Sequence, residues 1–436
     1  MGSDLRDRLD DLARHTPPAS PPPELWSRGV RRSRVSRATT GALVLVVLAL
    51  LGIGVRTWHS TTAPQPADTG GTVRVPDRLF TPSPWLKSFT GDPGRLIAVI
   101  PAIRRTLRHT ENGFVGVTAS TNTYGFLDLP GVAPSDAVLS DLVSLSPDGR
   151  RLAYWVTGGT TRGTPHGAQP VTGLDVLDLV DGTVERWRPE TTHGLAPSDL
   201  TWAGGDMLIF DCGQWVKGGG SDGGEAIGLG ARLWRLGQDD PVPLAQATGR
   251  RTFGDLVTAT GHWLVRPGSE RVWLTDLDGS PPPRRIDSYH ADVGPYVNPS
   301  GTRLVGLPTS DSLTLVTGTV PATNGDIGDY RLVRVENLRE IYEIDGWLDD
   351  DHVVASVGLR NPRDAALVSI DVRSGAVDTL IRDFVTAQVA TGLLGTPPVP
   401  AKAPPSPHDP RWVLGGALAA LLLCGLALWG IRARRA

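Results

Sequence analysis

The sequence contains very little cysteine. Only two cysteines occur in 436 residues, Cys212 in the middle of the chain and Cys424 inside a long apolar run. Two thiols in such different settings exclude the framework of intrachain disulfides that holds many small secreted domains together. The length suits either one large repeat fold or two domains.

The chain also lacks a net charge of either sign. Its 43 basic and 46 acidic side chains give a formal charge of −3, which excludes the strongly basic footprint of a nucleic-acid-binding protein. The charges are nevertheless segregated. Residues 1–37 carry eight arginines against five acidic residues, and residues 432–436 carry three arginines. The region between them therefore holds an acidic excess.

Motifs for catalysis, cofactor binding and metal binding are scarce. The nine histidines are scattered, with no His-Glu-x-x-His pattern and no glycine loop ending in Lys-Ser/Thr. GGSDG at 219–223 matches the G-x-S-x-G pattern of serine hydrolases, but no strand precedes it and no amphipathic helix follows it. The acidic run at 349–351 is either part of a Ca²⁺ site or a solvated turn, and its place at a hairpin tip favours the turn. We therefore predict no catalytic, cofactor-binding or metal-binding residue.

Two long uncharged apolar runs lie near the two ends of the chain. The first covers 38–55 between Arg37 and Arg56, and the second covers 412–431 with tryptophans at or near its ends. At about 1.5 Å per residue, the first run spans roughly 27 Å, which is just sufficient for the hydrocarbon core of a bilayer. We predict that both runs are transmembrane helices.

The arginines predict the orientation of these helices. Five of them lie within 28–37, just before the first run, only Arg56 follows it closely, and three follow the second run. Because basic residues flank membrane helices on the cytoplasmic side, both chain ends are expected in the cytoplasm and residues 57–411 outside the cell membrane. A cleaved signal peptide is the alternative, but a long proline-containing leader without a clear cleavage site favours an uncleaved anchor.

These features divide the chain into seven segments. They are a cytoplasmic head with a basic stop signal (1–37), a transmembrane helix (38–55), a Pro/Gly/Thr linker (56–79), an extracellular domain (80–385), a proline-rich linker (386–411), a second transmembrane helix (412–431) and a basic cytoplasmic tail (432–436).

The extracellular segment contains a repeat. SLSPDGRRLAYWV at 144–156 places a turn before a short apolar strand, and similar turn-strand units recur with a second alternating strand after each. The apolar residues that follow the turns are 37 to 56 positions apart, and they are Val115, Leu152, Leu208, Leu264, Leu304 and Val354. A period of 40–50 residues with several short strands in each unit is typical of a β-propeller blade.

The predicted fold class is therefore all-β, with a β-propeller of about six blades flanked by the two transmembrane helices. A pair of β-sandwiches with the same turn chemistry is the alternative. The strand RLIAVI at 95–100 precedes the six units, and we expect it to pair with the last blade and close the ring.

SPDGRRLAY at 146–154, followed by LDLVDG at 177–182, resembles the WD40-like (TolB-type) propeller repeat. The resemblance covers about residues 80–385 and implies the fold, not an activity. It implies that Pro147, Asp148 and Gly149 shape a structural hairpin turn, since Asp accepts local backbone hydrogen bonds and Gly tolerates positive φ.

The cytoplasmic head carries a short amphipathic pattern. SDLRDRLDDLAR at 3–14 places Leu5, Leu9 and Leu12 on one face of a helix, as a face for docking a partner would require. Because so short a helix is marginal alone in water, a disordered head with a basic stop signal is the favoured interpretation, and a docking helix is the alternative. The layout resembles actinobacterial membrane proteins that hold an RNA polymerase sigma factor inside and a sensor domain outside, but the zinc-binding His/Cys motif of the commonest anti-sigma class is absent.

We therefore expect a non-enzymatic propeller that binds a peptide, protein or envelope glycan outside the cell, with a cytoplasmic regulatory protein such as a sigma factor at its head and no nucleic acid. The alternative is an envelope hydrolase or lyase with an active site on a propeller face. Ionisable residues with perturbed pKa values that converge on the central channel favour the enzyme. An apolar or aromatic face without them favours binding.

Overall fold

The computed structural model describes most of residues 72–407 and scattered residues nearer the two ends. The described ranges are 72–133, 142–162, 170–216, 226–244, 258–267, 271–278, 282–291, 293–308, 311–361, 364–384 and 386–407, with residues 10, 11, 14, 409, 411, 415, 416, 419, 421–423, 425, 426 and 429. The chain forms two compact units, one of Met1–Thr61 with His408–Ala436 and one of Thr62–Pro407.

The second unit is built from short antiparallel strands. Its first half contains β1 (Leu96–Arg105), β2 (Thr110–Thr118), β3 (Tyr124–Phe126), β4 (Val143–Leu145), β5 (Arg151–Thr157), β6 (Val171–Asp178), β7 (Val184–Trp187), β8 (Leu195–Ala203), β9 (Met207–Trp215), β10 (Ala226–Gly228), β11 (Arg232–Arg235) and β12 (Val242–Pro243).

The second half continues this pattern. It contains β13 (Thr258–Thr260), β14 (Trp263–Pro267), β15 (Arg271–Asp276), β16 (Arg284–Asp287), β17 (Val293–Val297), β18 (Arg303–Leu307), β19 (Thr314–Thr319), β20 (Gly325–Asp326), β21 (Gly328–Arg334), β22 (Leu338–Trp347), β23 (His352–Leu359), β24 (Ala365–Asp371), β25 (Val377–Arg382) and β26 (Gln388–Val389), followed by a 3₁₀ turn at Thr391–Leu393.

The pairing groups these strands into six four-stranded blades. From the innermost strand outward they are β26-β1-β2-β3, β4-β5-β6-β7, β8-β9-β11-β12, β13-β14-β15-β16, β17-β18-β19-β21 and β22-β23-β24-β25, numbered here as blades 1 to 6. A single pairing between β6 and β8 joins blades 2 and 3 into one sheet. The innermost strands contact one another in order, and the 3₁₀ turn after β26 contacts β22.

Six apolar clusters fill the spaces between neighbouring blades. Representative pairs are Leu96 and Tyr154 (blades 1 and 2), Trp155 and Phe210 (2 and 3), Ile209 and Leu264 (3 and 4), Leu274 and Val316 (4 and 5), Leu315 and Val368 (5 and 6), and Leu367 and Val115 (6 and 1). Each cluster is shared by two consecutive blades, and the last returns to the first. Because a β-sandwich has one core between two sheets, this arrangement is a β-propeller.

The repeat strand β5 illustrates why the sequence folds in this way. Successive side chains of a strand point to opposite faces. Tyr154 packs in the cluster shared with blade 1, and Ala153 and Trp155 pack in the cluster shared with blade 3. A strand covered by a blade on each side is apolar at every position, so LAYWV at 152–156 has no polar alternation.

The ring closes within blade 1. Val389 of β26 lies opposite Ala98 of β1, and Gln388 lies opposite Val99. The expectation that residues 95–100 pair with the last blade was therefore wrong, because this segment begins the second strand of blade 1 and the closing strand is β26. Val115 was also misplaced as a repeat mark, since it lies on β2, the third strand of its blade. The other five marks lie on second strands: Leu152, Leu208, Leu264, Leu304 and Val354.

The chain segment that enters the propeller lies beside the segment that leaves it. The Asp77 N–H donates to the Val399 carbonyl (2.9 Å), and the Val399 N–H donates to the Val75 carbonyl (2.8 Å). The Ala401 N–H donates to Asp77 Oδ1 (2.8 Å). The chain therefore enters and leaves the ring along one short parallel ribbon.

Few residues of the other unit are described. Residues 10, 11 and 14 are helical, as are ten residues between 411 and 429. In this described part of the chain, no helix has both the length and the apolar character that crossing a membrane requires. The first predicted transmembrane segment, 38–55, lies outside the described residues.

Candidate functional site

The turn between β4 and β5 contains the residues predicted to shape a hairpin. Ser146 Oγ donates a hydrogen bond to Asp148 Oδ1 (2.6 Å), and the Arg150 N–H donates to the same oxygen (3.0 Å). Gly149 has φ of 69°, in the left-handed region that glycine tolerates. The Asp148 carboxylate thus satisfies two donors of its own turn.

This turn also lies against the segments that close the ring. The Pro147 carbonyl accepts a hydrogen bond from the Gly392 N–H (2.9 Å), and the Gly149 carbonyl accepts one from the Leu96 N–H (2.8 Å). A Cβ on Gly149 would overlap the Leu96 carbonyl oxygen. The position therefore requires glycine both for its φ and for this close approach.

The acidic run at 349–351 occupies the equivalent turn of blade 6. Asp349 Oδ1 accepts hydrogen bonds from the Asp351 and His352 N–H groups (both 2.9 Å). Asp350 Oδ1 accepts one from the Ser300 N–H in the neighbouring turn of blade 5 (3.1 Å). The described residues contain no group of three or more His, Cys, Asp or Glu side chains arranged to hold a metal ion.

Other residues singled out in the sequence are placed as follows. Leu5, Leu9 and Leu12 of the head and GGSDG at 219–223 lie outside the described residues. Cys212 is fully buried on β9, and burial raises the pKa of its thiol to about 12. Six tryptophans on the strands of the second unit are also buried: Trp155, Trp187, Trp202, Trp234, Trp263 and Trp347.

The innermost strand of blade 6, β22, has an unusual pattern. In LREIYEIDGW, every third residue is buried in the cluster shared with blade 5, namely Leu338, Ile341, Ile344 and Trp347. A regular strand alternates every second residue instead. The register with β23 shifts between Leu338 and Glu340, between Ile341 and Glu343, and between Ile344 and Gly346.

Each shift leaves one residue of β22 without an opposite partner on β23. These residues are Arg339, Tyr342 and Asp345. A bulge of this kind turns a side chain out of the regular pleat, and bulges are common next to functional sites. Three bulges in one strand therefore direct three polar side chains away from the apolar cluster.

The bulged side chains lie on the face of blade 6 that is turned toward blade 1. Ser356 of β23 donates its hydroxyl to Asp345 Oδ2 (2.7 Å). Further along β23, a Cβ on Gly358 would come within 2.8 Å of the Tyr342 hydroxyl and 3.0 Å of an Arg339 nitrogen. Since β26 of blade 1 has only two residues, it covers little of β22, and Tyr342 is 51% exposed.

The electrostatic setting of Asp345 is distinctive. Burial, reinforced by the nearby Glu343 charge, raises the pKa of the Asp345 carboxyl to about 7. The hydrogen bond from Ser356 acts in the opposite direction. Tyr296 of β17 lies close enough to both carboxylates for their charges to add to burial, which holds its pKa well above the usual value.

We define the axial site as Tyr296, Tyr342, Glu343, Asp345 and Ser356. It combines an exposed phenol ring, a hydroxyl group and two carboxylates, one of which is half-protonated near neutral pH. Such a set can accept hydrogen bonds from a ligand, donate a proton to it and stack against it.

Bulges recur on other innermost strands. On β8, Pro197 lies opposite Cys212 and Leu200 lies opposite Phe210, so that Ser198 and Asp199 together face one residue of β9. On β17 the register shifts between Val293 and Tyr296. The axis of the ring is thus lined by irregular strands in blades 3, 5 and 6, while the second strands of the blades supply the buried core.

No family model matches the chain, and no curated protein matches it. Solved structures with a loose likeness include an uncharacterized protein from Listeria monocytogenes (TM-score 0.38, 10% identity, 73% of this chain and 85% of the other). They also include a putative TolB from Agrobacterium tumefaciens (0.31, 14%, 60% and 85%) and the periplasmic gluconolactonase of Pseudomonas aeruginosa (0.32, 13%, 66% and 96%). Overlaps this loose say nothing about function, and the assignment of the fold rests on the strand order and the six clusters.

Proposed function

We propose that the protein is a membrane-anchored propeller on the outer side of the cell membrane, and that it binds an extended peptide or protein segment without catalysis. The observation that carries the proposal is the triple bulge of β22, which holds Arg339, Tyr342 and Asp345 at the axis on a strand anchored by four buried apolar residues. Side chains fixed in this way lose little conformational entropy when a ligand binds.

The membrane anchor rests on the two apolar runs and on the arginines that flank them. Two structural observations support it. In the C-terminal helical segment, Leu422 and Leu423 are each 67% exposed and Trp429 is 71% exposed, which suits a helix surrounded by lipid. The ribbon of residues 75–77 with 399–401 brings both linkers to one place on the ring, which is compatible with two spans in the same membrane.

The head completes the proposal. A helix with Leu5, Leu9 and Leu12 on one face would dock a cytoplasmic regulatory protein, with a sigma factor as the leading candidate. The test is in-cell crosslinking and affinity purification of the full-length protein, beside a variant that lacks residues 1–27 and keeps the arginines of 28–37. If the truncated variant no longer recovers a cytoplasmic partner that the full-length protein recovers, the protein is a transmembrane regulator. Recovery of the same partners from both variants shows that the head only anchors the protein.

The axial site is tested separately. Tyr342→Ala removes the exposed ring and should abolish recovery of the envelope-side partner. Tyr330→Ala removes another exposed tyrosine (42% against 51%) from the outer strand β21 and should not. If both variants recover the partner as the unaltered protein does, the axial site is not the binding surface.

An envelope hydrolase or lyase is the second candidate, and one observation favours it. Glu343 lies near Asp345 at the axis, and the pKa of the Asp345 carboxyl is raised to about 7, in the range that suits a general acid or base. Asp345→Asn separates the two functions. An enzyme would lose at least a hundredfold in turnover of envelope polymers, whereas a binding module would still recover its partner.

A further inference from the structure

A second concave site lies on the flank of the ring, between blades 5 and 6. It is a cavity of about 400 Å³, within the size range of small-molecule sites. Blade 5 contributes the end of β21 and the connection to β22, and blade 6 contributes the turn between β24 and β25. The cavity shares no residue with the axial site.

The floor of the cavity is aliphatic. Leu338 is 7% exposed, and Leu359 and Val377 are partly buried beside it. None of the described residues that line the cavity is aromatic. The floor therefore offers a small apolar surface that suits the C–H face of a compact ligand, but it lacks the area for a large hydrophobic one.

The rim carries neutral hydrogen-bonding groups. Asn337 accepts a hydrogen bond from Arg360 at its Oδ1 (2.9 Å), and its amide N–H groups have no acceptor among the described residues. The Ser374 hydroxyl accepts from the Ala376 N–H (3.2 Å) and donates to the Asp371 carboxylate, which leaves its oxygen as a further acceptor at the rim. Thr379 adds an exposed hydroxyl on β25.

Two charged residues complete the rim, and they are not equivalent. The Arg334 guanidinium lies 3.5 Å from the Asp311 carboxylate, so its charge is already matched. Glu336 is exposed and has no partner among the described residues. One free carboxylate beside three neutral polar side chains favours a ligand with several hydroxyl groups over an anion.

From this lining we propose that the cavity binds a short neutral saccharide. A carboxylate accepts hydrogen bonds from two adjacent hydroxyls, amide and hydroxyl groups match the remaining ones, and the aliphatic floor covers a C–H face of the ring. The site is additional to the axial site and does not depend on its function.

The experiment uses the full-length protein in lipid nanodiscs, which avoids sugar-based detergents. It is screened against an array of defined neutral di- to tetrasaccharides, and the strongest binder is measured by calorimetry. Glu336→Gln and Thr379→Val each remove one hydrogen-bonding function and should weaken binding by about fivefold. Glu190→Gln and Thr323→Val make the same changes at exposed positions elsewhere on the ring and should not.

Three results would overturn the proposal. One is the absence of saccharide binding above that of empty nanodiscs. Another is binding that Glu336→Gln and Thr379→Val leave unchanged. The third is binding that Tyr342→Ala abolishes while the cavity variants retain it, which would place the saccharide in the axial site. Loss of the envelope-side partner in Tyr342→Ala without loss of the saccharide shows that the two sites act independently.

Discussion

Replacing Asp345 by Asn should stabilise the protein, and the gain should depend on pH. Asn has nearly the same size as Asp, and its Oδ1 can accept the hydrogen bond from Ser356 that Asp345 accepts at 2.7 Å. What the substitution removes is a negative charge whose cost, in a poorly hydrated position near Glu343, exceeds the stabilisation from the Ser356 hydroxyl and the Ser356 and Asp345 N–H groups. The packing of β22 stays as it is.

The magnitude follows from the shift in pKa. The Asp345 pKa rises from 3.8 to about 7 in the folded protein. Because the folded state then binds a proton more tightly than the unfolded state, stability falls as pH rises from about 4 to about 7 and stays low above that. Three pKa units correspond to about 4 kcal/mol, an upper limit since Asp345 keeps some contact with water and its cost is shared with Glu343.

The assay compares unfolding of the two proteins at pH 5.5 and pH 8.5. Urea unfolding of the full-length protein in nanodiscs is followed by tryptophan fluorescence. The variant should exceed the unaltered protein by about 1–3 kcal/mol at pH 8.5, and the difference should shrink by about 1–2 kcal/mol at pH 5.5. The two proteins differ only at residue 345, so the difference reports Asp345 together with its interaction with Glu343.

The control is Asp239→Asn, which makes the same change in an exposed turn and should alter stability at neither pH. The reasoning fails if Asp345→Asn lowers stability at pH 8.5, or if the variant and the unaltered protein lose stability in parallel between the two pH values. Either result would show that the Asp345 charge is matched in the folded protein.

Three further predictions concern the framework. Asp148→Ala removes the acceptor for two hydrogen bonds of its turn and should lower the free energy of unfolding by about 1–2 kcal/mol in urea titrations, and an unchanged midpoint would contradict this. Gly149→Val requires a strained φ and an overlap with the Leu96 carbonyl, so it should prevent folding, and a folded product purified from the membrane fraction would refute the close approach. In a Cys424→Ser background, Cys212 should not react with Ellman's reagent at pH 8 until urea is added, and rapid labelling of the native protein would show that β9 opens.

The repeat could be predicted from the sequence because the second strand of each blade is buried on both faces. Leu152, Leu208, Leu264 and Leu304 are all completely buried, and each follows a turn that the sequence marks with glycine or aspartate. Those positions tolerate only apolar residues, so the period of the blades survives in the sequence. The sheet topology confirms the propeller that this period predicted.

The strand that closes the ring could not be predicted from the sequence, and the reason is physical. β26 consists of Gln388 and Val389 alone, and two residues carry no periodicity. The strand β1 was seen as an extra element because the first strand of its blade lies nearly 300 residues away in the sequence. Ring closure pairs a strand near the end of the repeat region with one near its start. Hydrophobic patterns within a short stretch of sequence do not predict which distant strands pair.

The axial site was missed although a signal was present. The apolar residues of LREIYEIDGW recur every third position, which fits neither a regular strand nor a regular helix. Period three arises in a strand only when a bulge follows each pair of residues, and a bulge is a feature of two paired strands. The pattern of β22 could therefore be interpreted only once β23 was known to lie beside it.

The short β26 and the bulged β22 belong together. A full-length innermost strand in blade 1 would pack against the same face of blade 6 on which Tyr342 and Asp345 lie. With only two residues in β26, the described residues of blade 1 leave Tyr342 51% exposed, and each bulge of β22 turns a polar side chain toward that face. Extending β26 by four residues with a sequence that pairs with Ile100–Ile103 should thus bury Tyr342 and block the axial site. Loss of the envelope-side partner in such a variant, with unchanged urea stability, would show that the incomplete blade is what makes the site accessible. Retention of the partner would place binding elsewhere on the ring.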